Sequence, residues 1–306
     1  MTIFSRFSML PFALLFFIQG QSFAGECCWS SLPIAGEINI AYDEFRGIPD
    51  GTWNGNTGGL VGANFAVGVF DLFGIQIGGS YGVYDWYGRG AVGPGSACAV
   101  QQQGFVTAGF FRETLCPSGF QGALVLDWMF NENFGVFALN PSFGQLRLEV
   151  GYLLNATHEF GLWGTLDVHT SHKSSFQIPI SYRAISQVNL FWRYFFENCA
   201  EAMVWAGAPY KKGLMFPGKR AGQYILGAAL RAPLTANLNL EAHGAYMGPM
   251  QHCTSRHFQN YDANICIGVS YTFGLGEDVC CETRQVRPYL SIANNSNFFV
   301  ETNLSN

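Results

Sequence analysis

Chemistry in this 306-residue chain rests on its cysteines, on one His-x-Ser pair and on carboxylates spaced among apolar residues. The nine cysteines are Cys27, Cys28, Cys98, Cys116, Cys199, Cys253, Cys266, Cys280 and Cys281. Adjacent thiols cannot bridge each other without strain, so Cys27-Cys28 and Cys280-Cys281 need different partners. In an oxidising compartment the odd total implies a free thiol or an intermolecular bond, and Cys98 with Cys116 is an example of ordinary intrachain pairing. The spacing of His and Cys fits no zinc pattern, and neither a metal nor a cofactor is implied. His169 and Ser171 share one face if they lie on a strand, where an imidazole activates a hydroxyl nucleophile. Polar lining at a strand end explains the pair equally well, and no residue is assigned a catalytic role.

The elements that position these residues are long amphipathic strands. From Tyr261 to Phe273 the chain alternates without a slip: Tyr261, Ala263, Ile265, Ile267, Val269, Tyr271 and Phe273 on one parity, Asp262, Asn264, Cys266, Gly268, Ser270 and Thr272 on the other. Side chains of a strand point alternately to opposite faces, so one face is apolar and the other polar. A strand tilted by about 45° crosses the hydrocarbon layer in roughly 9–11 residues, longer than most soluble strands. The pattern recurs, for example in Leu146, Leu148, Val150 and Tyr152 against Gln145, Arg147 and Glu149. Repetition of such segments between turn residues marks a transmembrane β-barrel.

Composition excludes the competing classes. Charged residues make up 12% and hydrophobic ones 49%, too apolar for a disordered chain and a poor soluble surface. No helical span is readable beyond the N-terminus. A net charge of −5 argues against nucleic acid as a partner. Residues 1–24 read as a secretory signal peptide: Arg6, an apolar stretch from Leu10 to Ile18, then Ser22-Phe23-Ala24 as the cleavage site, with processing after Ala24. Export followed by alternating strands predicts a bacterial outer-membrane protein facing outer-membrane lipid.

The predicted fold class is all-β, an antiparallel up-and-down transmembrane barrel of twelve strands, with fourteen as the alternative. The spans are 36–45, 58–70, 74–85, 121–130, 135–140, 145–154, 160–170, 183–196, 200–208, 221–231, 237–247 and 261–273. Short connections at 71–74, 131–135, 155–159, 197–200 and 233–236 are set on the periplasmic side, and long ones such as 86–120 outside. Residues 104–112 are read as a hairpin or constriction folded into that long loop. The organisation is then a periplasmic segment at 25–35, a barrel at 36–273 and a periplasmic tail at 274–306.

With the polar parity inward, the pore lining comprises Glu37, Asp43, Asp127, Arg147, Glu149, Asp167, Arg193, Glu241, His243 and Asp262. Glu201 and Arg231 share that parity. An excess of carboxylates favours cations over anions in a water-filled lumen. The charges pairing across a plugged interior is the competing arrangement. The basic cluster Lys211, Lys212, Lys219 and Arg220 suits the phosphates of the outer leaflet.

At Gly268-Val269-Ser270-Tyr271-Thr272-Phe273 the chain resembles the β-signal of outer-membrane proteins, which implies recognition of Gly268, Tyr271 and Phe273 by the barrel-assembly machinery. Its layout and paired cysteines resemble the cysteine-containing major outer-membrane proteins of chlamydiae and their relatives. That resemblance implies disulfide cross-linking to other envelope proteins, with Cys27, Cys28, Cys98, Cys116, Cys199, Cys253, Cys280 and Cys281 as candidates. His169-Thr170-Ser171 resembles the His-x-Ser of outer-membrane lipid A deacylases, usually eight-stranded barrels. The readings carried forward are a porin-like channel for small cationic or neutral solutes, a disulfide-linked structural or adhesive barrel without an open pore, and a lipid hydrolase using His169 and Ser171.

Overall fold

The computed structural model describes residues 34–47, 51–70, 73–89, 99–114, 118–135, 137–214, 218–249, 261–275 and 288–304. Twelve antiparallel strands close into a barrel: β1 (Ile34–Gly47), β2 (Gly51–Phe70), β3 (Phe73–Arg89), β4 (Ala99–Arg112), β5 (Gly119–Glu132), β6 (Ser142–Leu153), β7 (His158–His169), β10 (Gln187–Phe195), β11 (Glu201–Pro209), β12 (Ile225–Pro233), β13 (Leu238–Met247) and β14 (Asp262–Leu275). Three shorter strands, β8 (Ser171–Ser175), β9 (Ile178–Ala184) and β15 (Val300–Leu304), form a separate sheet in the order β15-β9-β8.

The alternating pattern sets the faces. Ile40 is 63% exposed, Ile77 58%, Leu190 68% and Ile265 51%, whereas Gln76, Asp127, Asn189 and Asn264 on the opposite parity are buried. An outward belt of Ile, Leu, Val and aromatic side chains around a closed ring fits a hydrocarbon solvent, because closure leaves no unpaired strand edge. The seam joins β1 to β14 from Ile34↔Leu275 to Gly47↔Asp262. Gly268 sits opposite Ala41, where a Cβ would lie 2.4 Å from the Ile40 carbonyl oxygen, so glycine lets the two backbones close. Tyr271 and Phe273 face outward from this seam, their rings stacked at 6.5 Å.

Strand count and up-and-down order agree with the sequence reading, but two of its spans do not. Residues 104–112 belong to β4, paired along its length with β3 and β5, and are not a hairpin inside a long loop. The described residues 135 and 137–140 belong to a turn, closed by the Phe134↔Leu139 bridge and by positive φ at Gly135 (71°) and Ala138 (47°). One strand gained and one lost keep the number at twelve and the strands from 145 onward in their predicted direction, whereas 121–130 runs opposite to the prediction and the turn at 131–135 lies at the end away from the barrel termini. The two barrel termini share an end with the connections at 113–118, 154–157, 196–200 and 234–237; we term it the turn end, and the opposite one the loop end.

The tail is the third correction. Residues 288–304 do not trail away from the barrel. They enter the lumen near the turn end and run to the loop end, where Val300–Leu304 pairs with β9. An apolar cluster forms there inside the ring, with Phe298 and Val300 of the tail packed among Phe105, Met129, Phe143, Ile180 and Tyr182. Residues 1–33, which hold the expected signal peptide, lie outside the described residues.

If the outer belt meets lipid, Leu190→Arg near the middle of β10 costs about 2–4 kcal/mol and Leu190→Ala far less. Urea titration of the protein folded in bilayers measures both; equal stability of the Arg variant and the parent contradicts the lipid-facing assignment.

Candidate functional site

All ten predicted lining residues lie on the inward parity. Asp43, Asp127, Arg147, Glu149, Asp167, Arg193 and Asp262 are buried, and Glu37, Glu241 and His243 are half-buried. What lies between them is protein. Starting at the turn end, Tyr289 stacks on Phe111 with 6.0 Å between ring centroids. The Leu290 carbonyl accepts from Asn64 Nδ2 at 2.8 Å and Gln76 Nε2 at 3.1 Å, and its N–H donates to Gln76 Oε1 at 3.0 Å. The Ser291 carbonyl accepts from Arg147 Nη2 at 2.8 Å. Ala293 N–H donates to Thr107 Oγ1 at 2.9 Å. Asn295 Nδ2 donates to Asp43 Oδ2 at 2.8 Å and to Gln103 Oε1 at 3.0 Å. Ser296 Oγ lies 2.8 Å from His243 Nδ1 and also meets Asn264. The Asn297 carbonyl accepts from Gln145 Nε2 at 3.2 Å. The tail therefore satisfies inward polar groups on both halves of the ring, which would otherwise need water.

The charges are paired as well. Asp127 accepts from Thr107 Oγ1 at 2.7 Å and Gln145 Nε2 at 3.0 Å, and Arg147 Nε lies 2.9 Å from it. Arg193 bridges Glu149 and Glu159, each at 2.8 Å. Arg231 bridges Glu37 at 2.6 Å and Glu241 at 2.7 Å. Asp43 accepts from neutral donors: Tyr84 at 2.7 Å, Asn264 at 2.6 Å and Asn295. Where one guanidinium serves two carboxylates, the interior keeps an excess of negative charge. Beyond the barrel strands, Glu301 accepts from Arg183 Nε at 2.9 Å and Leu214 N–H at 2.8 Å. Burial pushes its carboxyl above the usual range, against the opposing pull of Arg183.

Two site readings are not assembled. His169 is exposed and stacks on the Trp128 ring at 5.2 Å, while Ser171 is buried at the start of β8, so they do not meet as base and nucleophile. Lys211, expected at lipid phosphates, pairs with Asp167 instead. Among the cysteines, Cys266 is buried on the inward parity and Cys199 lies in the β10–β11 turn with φ 61°. Cys27, Cys28, Cys98, Cys116, Cys253, Cys280 and Cys281 lie outside the described residues.

Sequence reasoning missed Glu159 and every tail residue. A signal was present: Met129 puts a large apolar side chain on the parity assigned to water, and Phe143 continues the parity of Gln145 and Arg147. A water-filled lumen does not call for them, and a folded segment within it does.

Arg193→Ala leaves Glu149 and Glu159 buried without their cation and costs about 3–5 kcal/mol. Urea unfolding measures this; a loss under about 1 kcal/mol shows the pairs to be solvated, as in an open lumen.

A family model described as a family of unknown function, DUF6666, matches residues 36–300. No curated protein matches the chain. The COG4313 outer membrane channel from Pseudomonas putida F1 is similar at 9% identity and TM-score 0.46, covering 82% of this chain and 99% of that one. Outer membrane phospholipase A from Escherichia coli is similar at 7% identity and TM-score 0.44, covering 77% of this chain and 95% of that one. A Pseudomonas aeruginosa FadL homologue is similar at 10% identity and TM-score 0.37, covering 79% of this chain and 90% of that one.

Proposed function

The chain belongs to this family of unknown function, DUF6666, and we propose that it is a bacterial outer-membrane channel-type barrel held shut by its own C-terminal segment. The observation that carries the reading is the bonding of residues 290–297 to the inward wall, made between polar groups. Each such bond exchanges for water at a net cost of only about 0.5–1.5 kcal/mol, so the polar part of this stretch is released readily, and the apolar packing of Leu290, Ile292 and Ala293 is what displacement must overcome. Small solutes pass once it is displaced, and the carboxylates of Glu37, Asp43, Glu149 and Glu241 then favour cationic or neutral ones. In this reading the outward belt meets outer-membrane lipid, the leader ends at Ala24, and the segment from Gly268 to Phe273 is read by the assembly machinery.

A second reading is supported by Phe298 and Val300, which anchor the far end of the tail in an apolar cluster. Such an anchor suits a permanently closed structural barrel, linked to other envelope proteins through its terminal cysteines.

Conductance in planar bilayers separates the two. The full chain conducts little, whereas Asn295→Asp, which sets a second carboxylate against Asp43, and a chain ending at residue 287 conduct with K⁺ preferred over Cl⁻. Steady conductance of the full chain, or none from both folded variants, overturns the gated-channel reading; the latter result favours the structural one.

A further inference from the structure

Past the loop end of β11 and β12 the chain forms a connection rich in cations. Its two sides are joined by the Lys212↔Arg220 bridge and by the bond from Gly213 N–H to the Lys219 carbonyl at 2.7 Å. The alternation of the two strands continues into it. Lys211 turns inward to Asp167 and Ala221 is buried, whereas Lys212, Lys219 and Arg220 are exposed. The nearby acids do not quench these cations, because Asp167 and Glu301 are buried and already hold Lys211 and Arg183.

Below this connection the outer wall changes in layers. Val204, Leu226 and Leu230 belong to the apolar belt. Nearer the loop end stand the exposed rings of Tyr210, Tyr224 and Tyr246, with Tyr224 and Tyr246 6.2 Å apart and Tyr246 and Tyr261 6.3 Å apart. Aliphatic side chains, then amphipathic rings, then cations follow the order of a bilayer from its hydrocarbon core to its headgroups. A guanidinium and an ammonium set opposite each other above such a row suit phosphate oxygens, which the guanidinium can grip in bidentate fashion.

The two ends of the barrel differ in the same sense. Among the described residues every exposed Lys and Arg, namely Arg46, Lys173, Lys212, Lys219 and Arg220, stands at the loop end. Arg46 is held by Glu44 at 2.9 Å, so the remaining cations gather over β7 to β12. At the turn end of those same strands the exposed charge is that of Glu197. Such a field attracts an anionic surface to the loop end and to no other part of this wall.

We infer that Lys212, Lys219 and Arg220 form a docking site for the anionic phosphate headgroups of lipid in the leaflet at the loop end. The inference rests on the reading of the outward belt as lipid-facing and is independent of the proposed gating. Lipid rather than a soluble anion is the occupant, because the cations extend the outer wall above its tyrosines.

The test is mass spectrometry of the intact full chain released from detergent micelles that hold equal amounts of dimyristoyl phosphatidic acid and dimyristoyl phosphatidylcholine. Phosphatidic acid is retained preferentially, and the preference falls about tenfold when Lys212→Ser and Arg220→Ser are combined. Arg46→Ser leaves the preference unchanged, and inorganic phosphate in excess does not displace the lipid. Equal retention of the two lipids by the parent, an undiminished preference in the folded double variant, an equal loss in Arg46→Ser, or displacement by inorganic phosphate overturns the inference. Retention of neither lipid overturns the lipid-facing belt as well.

Discussion

A ring of twelve strands encloses more space than its own side chains can fill. Its inward parity nonetheless carries Asp, Glu, Arg, Asn and Gln, each of which needs a partner once water is thinned out. The other features of the interior follow from how this demand is met. Residues 288–304 supply carbonyls to Asn64, Gln76, Gln145 and Arg147, and amide donors to Asp43 and Thr107. Closing β14 onto β1 brings the C-terminal end of the barrel to the turn end, from which the tail can thread inward.

What was legible in the sequence followed the contrast between lipid outside and polar groups inside. Tyr261–Phe273 and Leu146–Tyr152 meet that contrast cleanly and were read with the correct faces. Strand β4 was not, because its inner face is mixed: buried Gln101, Gln103 and Thr107 share it with Phe105, which packs on Phe298, and Phe111, which packs on Tyr289, while Val106 and Phe110 point outward. The occupant of the lumen thus erased the amphipathic signal of the wall it touches. Residues 135–140 failed for a related reason. Their apolar side chains, Phe137 and Leu139, pack against the internal cluster from a turn and so mimic a strand.

For the candidate site, the titratable residues of the polar parity are buried or half-buried within the ring, but the pairs they form depend on which strands become neighbours. Arg193 stands opposite Glu159 in the β10–β7 register and reaches Glu149 on β6, contacts set by which strands are neighbours, whereas Arg231 on β12 reaches Glu37 on β1 through ring closure. The same closure gathers Trp163, Trp205 and Tyr289 from three separate segments around one cavity.

Hydrogen exchange of the folded protein, resolved along the chain by mass spectrometry, tests the threaded tail most directly. Backbone amides across residues 288–304 should exchange as slowly as those of the barrel strands, because Leu290 and Ala293 donate to the wall and Val300–Leu304 is paired with β9. Exchange of this segment at the rate of an unstructured peptide, with the barrel strands protected, would contradict the account.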